Sequence, residues 1–232
     1  MVRHARLGVF ALLLVLVLLQ IGCDVVVPPA PTISQTPAAD NSLIYDAPVN
    51  LTIKNGAVLP GTTIGYGGKL PTGAAKVILA GVVAAKQTGD TLDWQGSPVP
   101  NVNLKLNTRV VTFDDQAVSV IGTAHVELAN IAIQPGGTPG NAALDLSAPV
   151  SYSLAKNVPV PGTNITYIAS SPDGAQFAGI QGYAFRKTLD SLQYVGRVNP
   201  KVFLKLDLRV LNFTDTGVLL GGTANVRIDA QP

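Results

Sequence analysis

The chain has 232 residues, 47% of them apolar and 13% charged, with a formal net charge of +2. That length can bury one sizeable core or two small ones, and so balanced a charge excludes a nucleic-acid binder, which needs a basic face. Cys23 is the only cysteine, so no intramolecular disulfide can form and stability must come from buried apolar surface.

At the N-terminus, Arg3 and Arg6 precede an apolar run from Leu7 to Leu19, and Gly22-Cys23 follows. A run of about 13 residues has the length of a signal-peptide core and falls short of the roughly 18 that span a bilayer. Basic head, short apolar core, small residue and lone Cys together resemble the signal of a bacterial membrane lipoprotein. The resemblance implies removal of residues 1–22 and lipid on the sulfur and new amino group of Cys23. The protein would then sit on the extracytoplasmic face of the cell membrane, anchored by lipid, because two or more acyl chains hold stably where one does not. In bacteria with two membranes, the resemblance further implies that Asp24 favours the inner one. An ordinary cleaved signal with an unpaired thiol, and an uncleaved anchor, are the other readings of this segment. Without Arg3 and Arg6, the 16 basic residues fall to 14 and equal the 14 acidic ones, so the mature chain is neutral.

Residues 23–45 read as the lipidated Cys and a tether. Pro28, Pro29, Pro31 and Pro37 stand among small and polar residues, a composition that favours extended conformations. At ~3 Å per residue such a tether reaches up to about 65 Å from the membrane.

Past the tether the chain is written twice. Ala47-Pro48-Val49 recurs as Ala148-Pro149-Val150, and Pro60-Gly61-Thr62 as Pro161-Gly162-Thr163. Gly73 and Gly81 match Gly174 and Gly182 at the same offset of 101, and after a one-residue gap the offset becomes 100. Residues 94–128 then share 15 of 35 positions with 194–228, where chance gives roughly 2 or 3. The duplication places a first repeat at 46–134, a Gly/Pro-rich linker at 135–145 and a second repeat at 146–232.

Both repeats read as β. Val202, Leu204, Leu206, Leu208 and Val210 alternate with polar residues, the period of a half-buried strand, and Val102 to Val110 repeats the pattern. Phe113-Asp114-Asp115-Gln116-Ala117 and Phe213-Thr214-Asp215-Thr216-Gly217 are turn chemistry, so each repeat holds a long hairpin. Ala74–Lys86 is rich enough in Ala for a helix, but its copy at 175–187 carries Gly179, Gly182, Tyr183 and Phe185, and both are read as strand. The expectation is an all-β chain with two tandem copies of a six-stranded sandwich- or barrel-like unit. The copies either stand apart or merge into one pseudo-symmetric domain.

Candidate sites are few. Lys105 and Arg109, repeated as Lys205 and Arg209, lie four apart on a strand and share its polar face. They could hold an acidic polymer or a partner, and equally they could be a solvated face that discourages aggregation. Trp94 and Tyr194 stand at equivalent positions beside a turn, where an aromatic ring can stack on a sugar or fill the core. Asn101, Asn103 and Asn107 would suit a carbohydrate face near Trp94, but the second repeat has Lys201, Phe203 and Asp207 there. His125 and Glu127 share a strand face and could do acid–base work, yet no nucleophile accompanies them and their counterparts are Asn225 and Arg227. Asp114-Asp115 is too thin for calcium, and Gly65-Tyr66-Gly67-Gly68 lacks the Lys-Ser/Thr ending of a phosphate loop. The sequence thus points to no metal, no cofactor and no enzyme. It points to a binding or assembly module whose partner is a protein or polysaccharide of the cell envelope. A structural envelope component that self-associates through sheet edges is the alternative, and a hydrolase the third.

Overall fold

The structure, a computed structural model, describes residues 41–137 and 144–230. The signal segment, Cys23 and nearly all of the tether lie outside the described residues, as does most of the linker. Among the described residues there is no helix. The first half contains β1 (Ser42–Lys54), β2 (Ile64–Lys69), β3 (Ala75–Leu79), β4 (Val82–Lys86), β5 (Trp94–Gly96), β6 (Val102–Phe113) and β7 (Ala117–Ala129). A two-residue strand, β8 (Gln134–Pro135), follows. The second half contains β9 (Leu144–Ala155), β10 (Thr166–Ser171), β11 (Gly174–Ala178), β12 (Phe185–Arg186), β13 (Ser191–Asn199), β14 (Val202–Phe213) and β15 (Gly217–Ile228).

These strands form two larger sheets, in the orders β1-β7-β6-β5 and β8-β13-β14-β15-β9, and two small ones, β2-β3-β4 and β10-β11-β12. The chain is therefore all-β, built of several antiparallel sheets. Alternation decides which face goes inward. On β14, Val202, Leu204, Leu206, Leu208 and Val210 are buried, while Lys205 and Arg209 between them are exposed. Each buried Leu or Val contributes about 1.5–3 kcal/mol.

Three boundaries differ from the sequence reading. β1 starts at Ser42, inside the stretch assigned to the tether, because Leu43, Tyr45, Ala47 and Val49 already alternate and all are buried. β9 starts at Leu144 for the same reason, and Gln134–Pro135 pairs with Gly196 and Arg197 of β13 instead of beginning a free linker. The Ala-rich stretch makes two strands, not one. Ala80 and Gly81 both have positive φ, 48° and 84°, and close a two-residue turn between Leu79 and Val82, the hairpin type whose twist matches its strands. That extra strand makes seven per half where six were expected. The pairing also moves the gap between the repeats. Ala75 faces Lys86, and Ala175 faces Arg186, so the offset is already 100 at β3 and β11. The missing residue lies in the preceding turn, and Gly81 corresponds to Gln181.

The two long hairpins, β6–β7 and β14–β15, carry identical distortions. An extra residue, Val111 or Leu211, bulges out after Val110 or Val210. Two residues earlier, a glycine on the partner strand approaches its neighbour's backbone. A Cβ on Gly122 would lie 2.0 Å from the Asn107 carbonyl oxygen, and one on Gly222 would lie 2.1 Å from that of Asp207. Glycine and bulge together bend each hairpin over the core. The tips differ in chemistry but not in form. Asp114 Oδ1 accepts from the Gln116 and Ala117 amides at 2.8 and 2.9 Å, which holds its carboxyl below the ordinary range, and Thr214 Oγ1 stands in its place in the other half. A buried tyrosine braces each tip from below. The Tyr66 hydroxyl donates to the Asp114 carbonyl, and the Tyr167 hydroxyl donates to that of Thr214.

One hydrophobic cluster draws on both halves. A Cβ on Gly162 would meet Leu43 of β1 and Leu204 of β14, each at 2.7 Å, and one on Gly61 would meet Ala230 at 2.9 Å. Asn199 Nδ2 donates to the Pro100 carbonyl at 3.0 Å. Tyr45 and Tyr152 carry this contact into the centre. Burial, then the neighbouring Tyr152 phenol, raises the Tyr45 hydroxyl well above its usual range, and burial pushes Tyr152 up to about 12. Neither hydroxyl has a hydrogen bond of ordinary geometry.

Two outcomes follow from these contacts. Gly122→Ala or Gly222→Ala should cost about 2–4 kcal/mol, read as a lower urea midpoint, since the new methyl must push backbone aside. The double variant Tyr45→Phe/Tyr152→Phe should unfold at equal or higher urea, by up to about 2 kcal/mol, since it removes two buried donors without partners. Both phenols are held neutral in the fold while the unfolded chain ionises them at the ordinary tyrosine value, so they leave stability independent of pH below that value and lower it as pH rises toward about 12. The double variant should show a smaller alkaline loss, Tyr66, Tyr167 and Tyr194 retaining their share.

Candidate functional site

The repeated cations split by role. Arg109 Nη1 donates to the Gly89 carbonyl at 3.1 Å, and Arg209 Nη1 donates to the Leu189 carbonyl at 2.8 Å. Each guanidinium thereby ties down the loop that lies beside its strand. The same loops are closed by Asp90 Oδ2, which accepts from the Gln87 amide, and by Asp190 Oδ2, which accepts from that of Lys187. Lys205 pairs with Asp207 at 2.9 Å, and Asp207 also accepts from Gln193 Nε2 at 3.1 Å. Lys105 faces His125 across the β6–β7 ladder. The four cations thus sit on two different sheets, and three of them have local partners.

His125 has a partner the sequence did not reveal. Its Nδ1 lies 2.7 Å from Asp46 Oδ1 on β1, both side chains about half exposed. That partner is a carboxylate, not a hydroxyl or thiol. Glu127 lies further along β7, opposite Ile44 and Asn103. Among the described residues no cluster of His, Cys, Asp and Glu is placed to hold a metal ion.

The aromatic pair diverges. Trp94 packs on the core, its ring over Gly96, and its Nε1 donates to Thr63 Oγ1 at 3.1 Å. Tyr194 is buried over Gly196, and its hydroxyl has no hydrogen-bond partner. Burial raises its pKa. Beside Tyr194 opens a cleft of about 410 Å³. One wall is the edge of β13 from Ser191 to Val195, open because β8 pairs only with Gly196 and Arg197. The other wall comes from Asn164, Gly179 and Gln181, and Pro135-Gly136 closes one end. Gly179 has φ +74°, and a Cβ there would lie 2.1 Å from the Asn164 carbonyl oxygen, so only glycine fits.

Arg186 and Ser191 also line a second, more open recess of about 480 Å³ with Asp173, Tyr183, Phe185, Lys187 and Asp190. Tyr183 is 65% exposed and lies against Phe185, ring centroids 5.4 Å apart. The Arg186 guanidinium is held by the main-chain carbonyls of Tyr183, Phe185 and Ser191. Sequence reasoning found Tyr194 but missed Asn164, Gln181, Tyr183 and Arg186. The signal that could have found them is the difference between the copies once the gap is moved: Leu79 becomes Gly179, Val83 becomes Tyr183 and Ala85 becomes Phe185.

No family model matches this chain, and neither a curated protein nor a solved structure matches it.

Leu189 caps the loop beside the recess with φ +72°, where the other half has Gly89, and its side chain is exposed. A non-glycine residue there is strained by about 1–2 kcal/mol. Leu189→Gly should therefore raise stability by about 0.5–1 kcal/mol after glycine's entropy loss is counted, measurable as a higher melting temperature.

Proposed function

We propose that the protein is a membrane-anchored, extracytoplasmic binding or assembly module that performs no catalysis. The observation that carries this reading is the divergence of the two halves around β13. The long hairpins and their braces keep the same form in both, while the second half opens a cleft of mixed polar and apolar lining beside Tyr194, with Gly179 and Tyr194 at the positions of Leu79 and Trp94. Such a pattern suits a scaffold retained for stability with one copy turned to recognition. Anchoring rests on the Gly22-Cys23 signal, and the tether would present the body to envelope material. The partner of His125 is the Asp46 carboxylate, and among the described residues no hydroxyl or thiol is bonded to that pair. Self-association through sheet edges has less in its favour. In the two larger sheets, the long edge strands β1 and β9 lie near each other and carry Pro48 and Pro149, residues that blunt a free edge, while the opposite edges are capped by the short strands β5 and β8.

The test is intact mass and membrane partition of the wild-type protein beside Cys23→Ala, followed by retention of the detergent-solubilised protein on delipidated cell envelope. Wild type should begin at residue 23, carry acyl mass, partition to membranes and be retained. Cys23→Ala should be soluble but still be retained. Identical soluble behaviour of both proteins would overturn the anchor, and absence of retention would overturn the binding role.

A further inference from the structure

We infer that the cleft beside β13, with its adjoining recess, binds an uncharged carbohydrate, Tyr183 serving as the stacking surface at its mouth. The inference deepens the binding-module reading and rests on it. Three observations carry it.

The first is the contrast between halves. At positions brought into register by the ladders, the second half replaces Leu79 with Gly179 and Trp94 with Tyr194, which removes bulk from the cleft. It replaces Val83 with Tyr183 and Ala85 with Phe185, which adds aromatic surface at the rim. A fold that needed only packing had no reason to exchange bulk inside for an exposed tyrosine outside. Gly179 at φ +74° also commits backbone to this shape.

The second is the chemistry of the walls. Asn164, Gln181 and Ser191 offer amides and a hydroxyl that both donate and accept, Ile165, Ile180 and Leu192 add apolar surface, and the open β13 edge adds main-chain groups. A sugar presents rows of hydroxyls that likewise donate and accept, and its C–H face lies flat on an aromatic ring. Tyr194 is nine-tenths buried on the cleft's floor and contributes its ring, the hydroxyl lying inward over Gly196.

The third is charge. Arg186 and Lys187 stand with Asp173 and Asp190 in the recess, two cations with two carboxylates. The Arg186 guanidinium is already engaged by three carbonyls. Nothing in this balance selects a phosphate, a uronic acid or a polycation. An added peptide strand would find only a short stretch of β13 open, since the Gly136 amide already donates to the Val195 carbonyl at 2.8 Å.

The experiment applies the full-length protein, in detergent, to an array of neutral and acidic oligosaccharides, and titrates the best ligand by calorimetry. A neutral oligosaccharide should bind saturably. Tyr183→Ala, a change at an exposed side chain, should weaken binding about tenfold. Tyr194→Trp, which installs the first half's residue, should abolish it, and Val83→Ala in the first half should leave it unchanged. Thermal unfolding of each variant guards against a folding defect, and Tyr183→Ala remains decisive if Tyr194→Trp does not fold. Binding of acidic sugars alone, binding insensitive to Tyr183→Ala, or no binding on the array would overturn the inference. Failure on the array with retention on cell envelope intact removes the carbohydrate and leaves the binding module. Failure of both removes both.

Discussion

The structure depends on bending two long hairpins. β6–β7 and β14–β15 are twelve or thirteen residues per strand, and a flat ribbon of that length would leave its apolar face open to water. Gly122 and Gly222 let one backbone approach the next where a Cβ would collide. The bulges at Val111 and Leu211 then re-aim the strand ends. With the hairpins curved, Tyr66 and Tyr167 reach the turn carbonyls from below, and the small sheets that carry these tyrosines are fixed in place. No disulfide is available to impose this shape, so backbone chemistry does it.

The same curvature explains why the halves share one core. Curved sheets bring β1 near β9, so the strands that would otherwise be long free edges are brought together. Leu43 then reaches the Gly162 turn of the opposite half, and Tyr45 meets Tyr152. The buried phenols are the least satisfied part of this arrangement. Two hydroxyls without regular partners weaken a core, but the rings fill space where the halves meet, and the positions they hold in the repeat, Leu51 and Leu146, are filled by smaller side chains.

Duplication turns the protein into its own control. What both halves keep is structural: the bracing arginines, the loop carboxylates Asp90 and Asp190, the hairpin tyrosines. What only one half has is the place to look for function. Cations that look like a binding stripe on paper are largely consumed by their own loops, whereas the cleft beside Tyr194 has no counterpart role in packing.

The strand content, the long hairpins, their turns and the duplication are local properties, and period-two alternation and turn residues make them readable in the chain alone. The identity of the inward face is equally local, as Val202 to Val210 shows. The boundaries at Ser42 and Leu144 were obscured because neighbouring proline and small residues looked like linker. The shift of the gap to the turn before β3 and β11 could not be seen in residue identities, since Gly81 and Gly182 match by accident of turn chemistry and only hydrogen-bond register decides. The cleft is wholly tertiary. It exists because β13 lacks an outer neighbouring strand from Ser191 to Val195 and because Gly179, in the bend after β11, lines the opposite wall, and no pattern along the chain records which groups face each other across that gap.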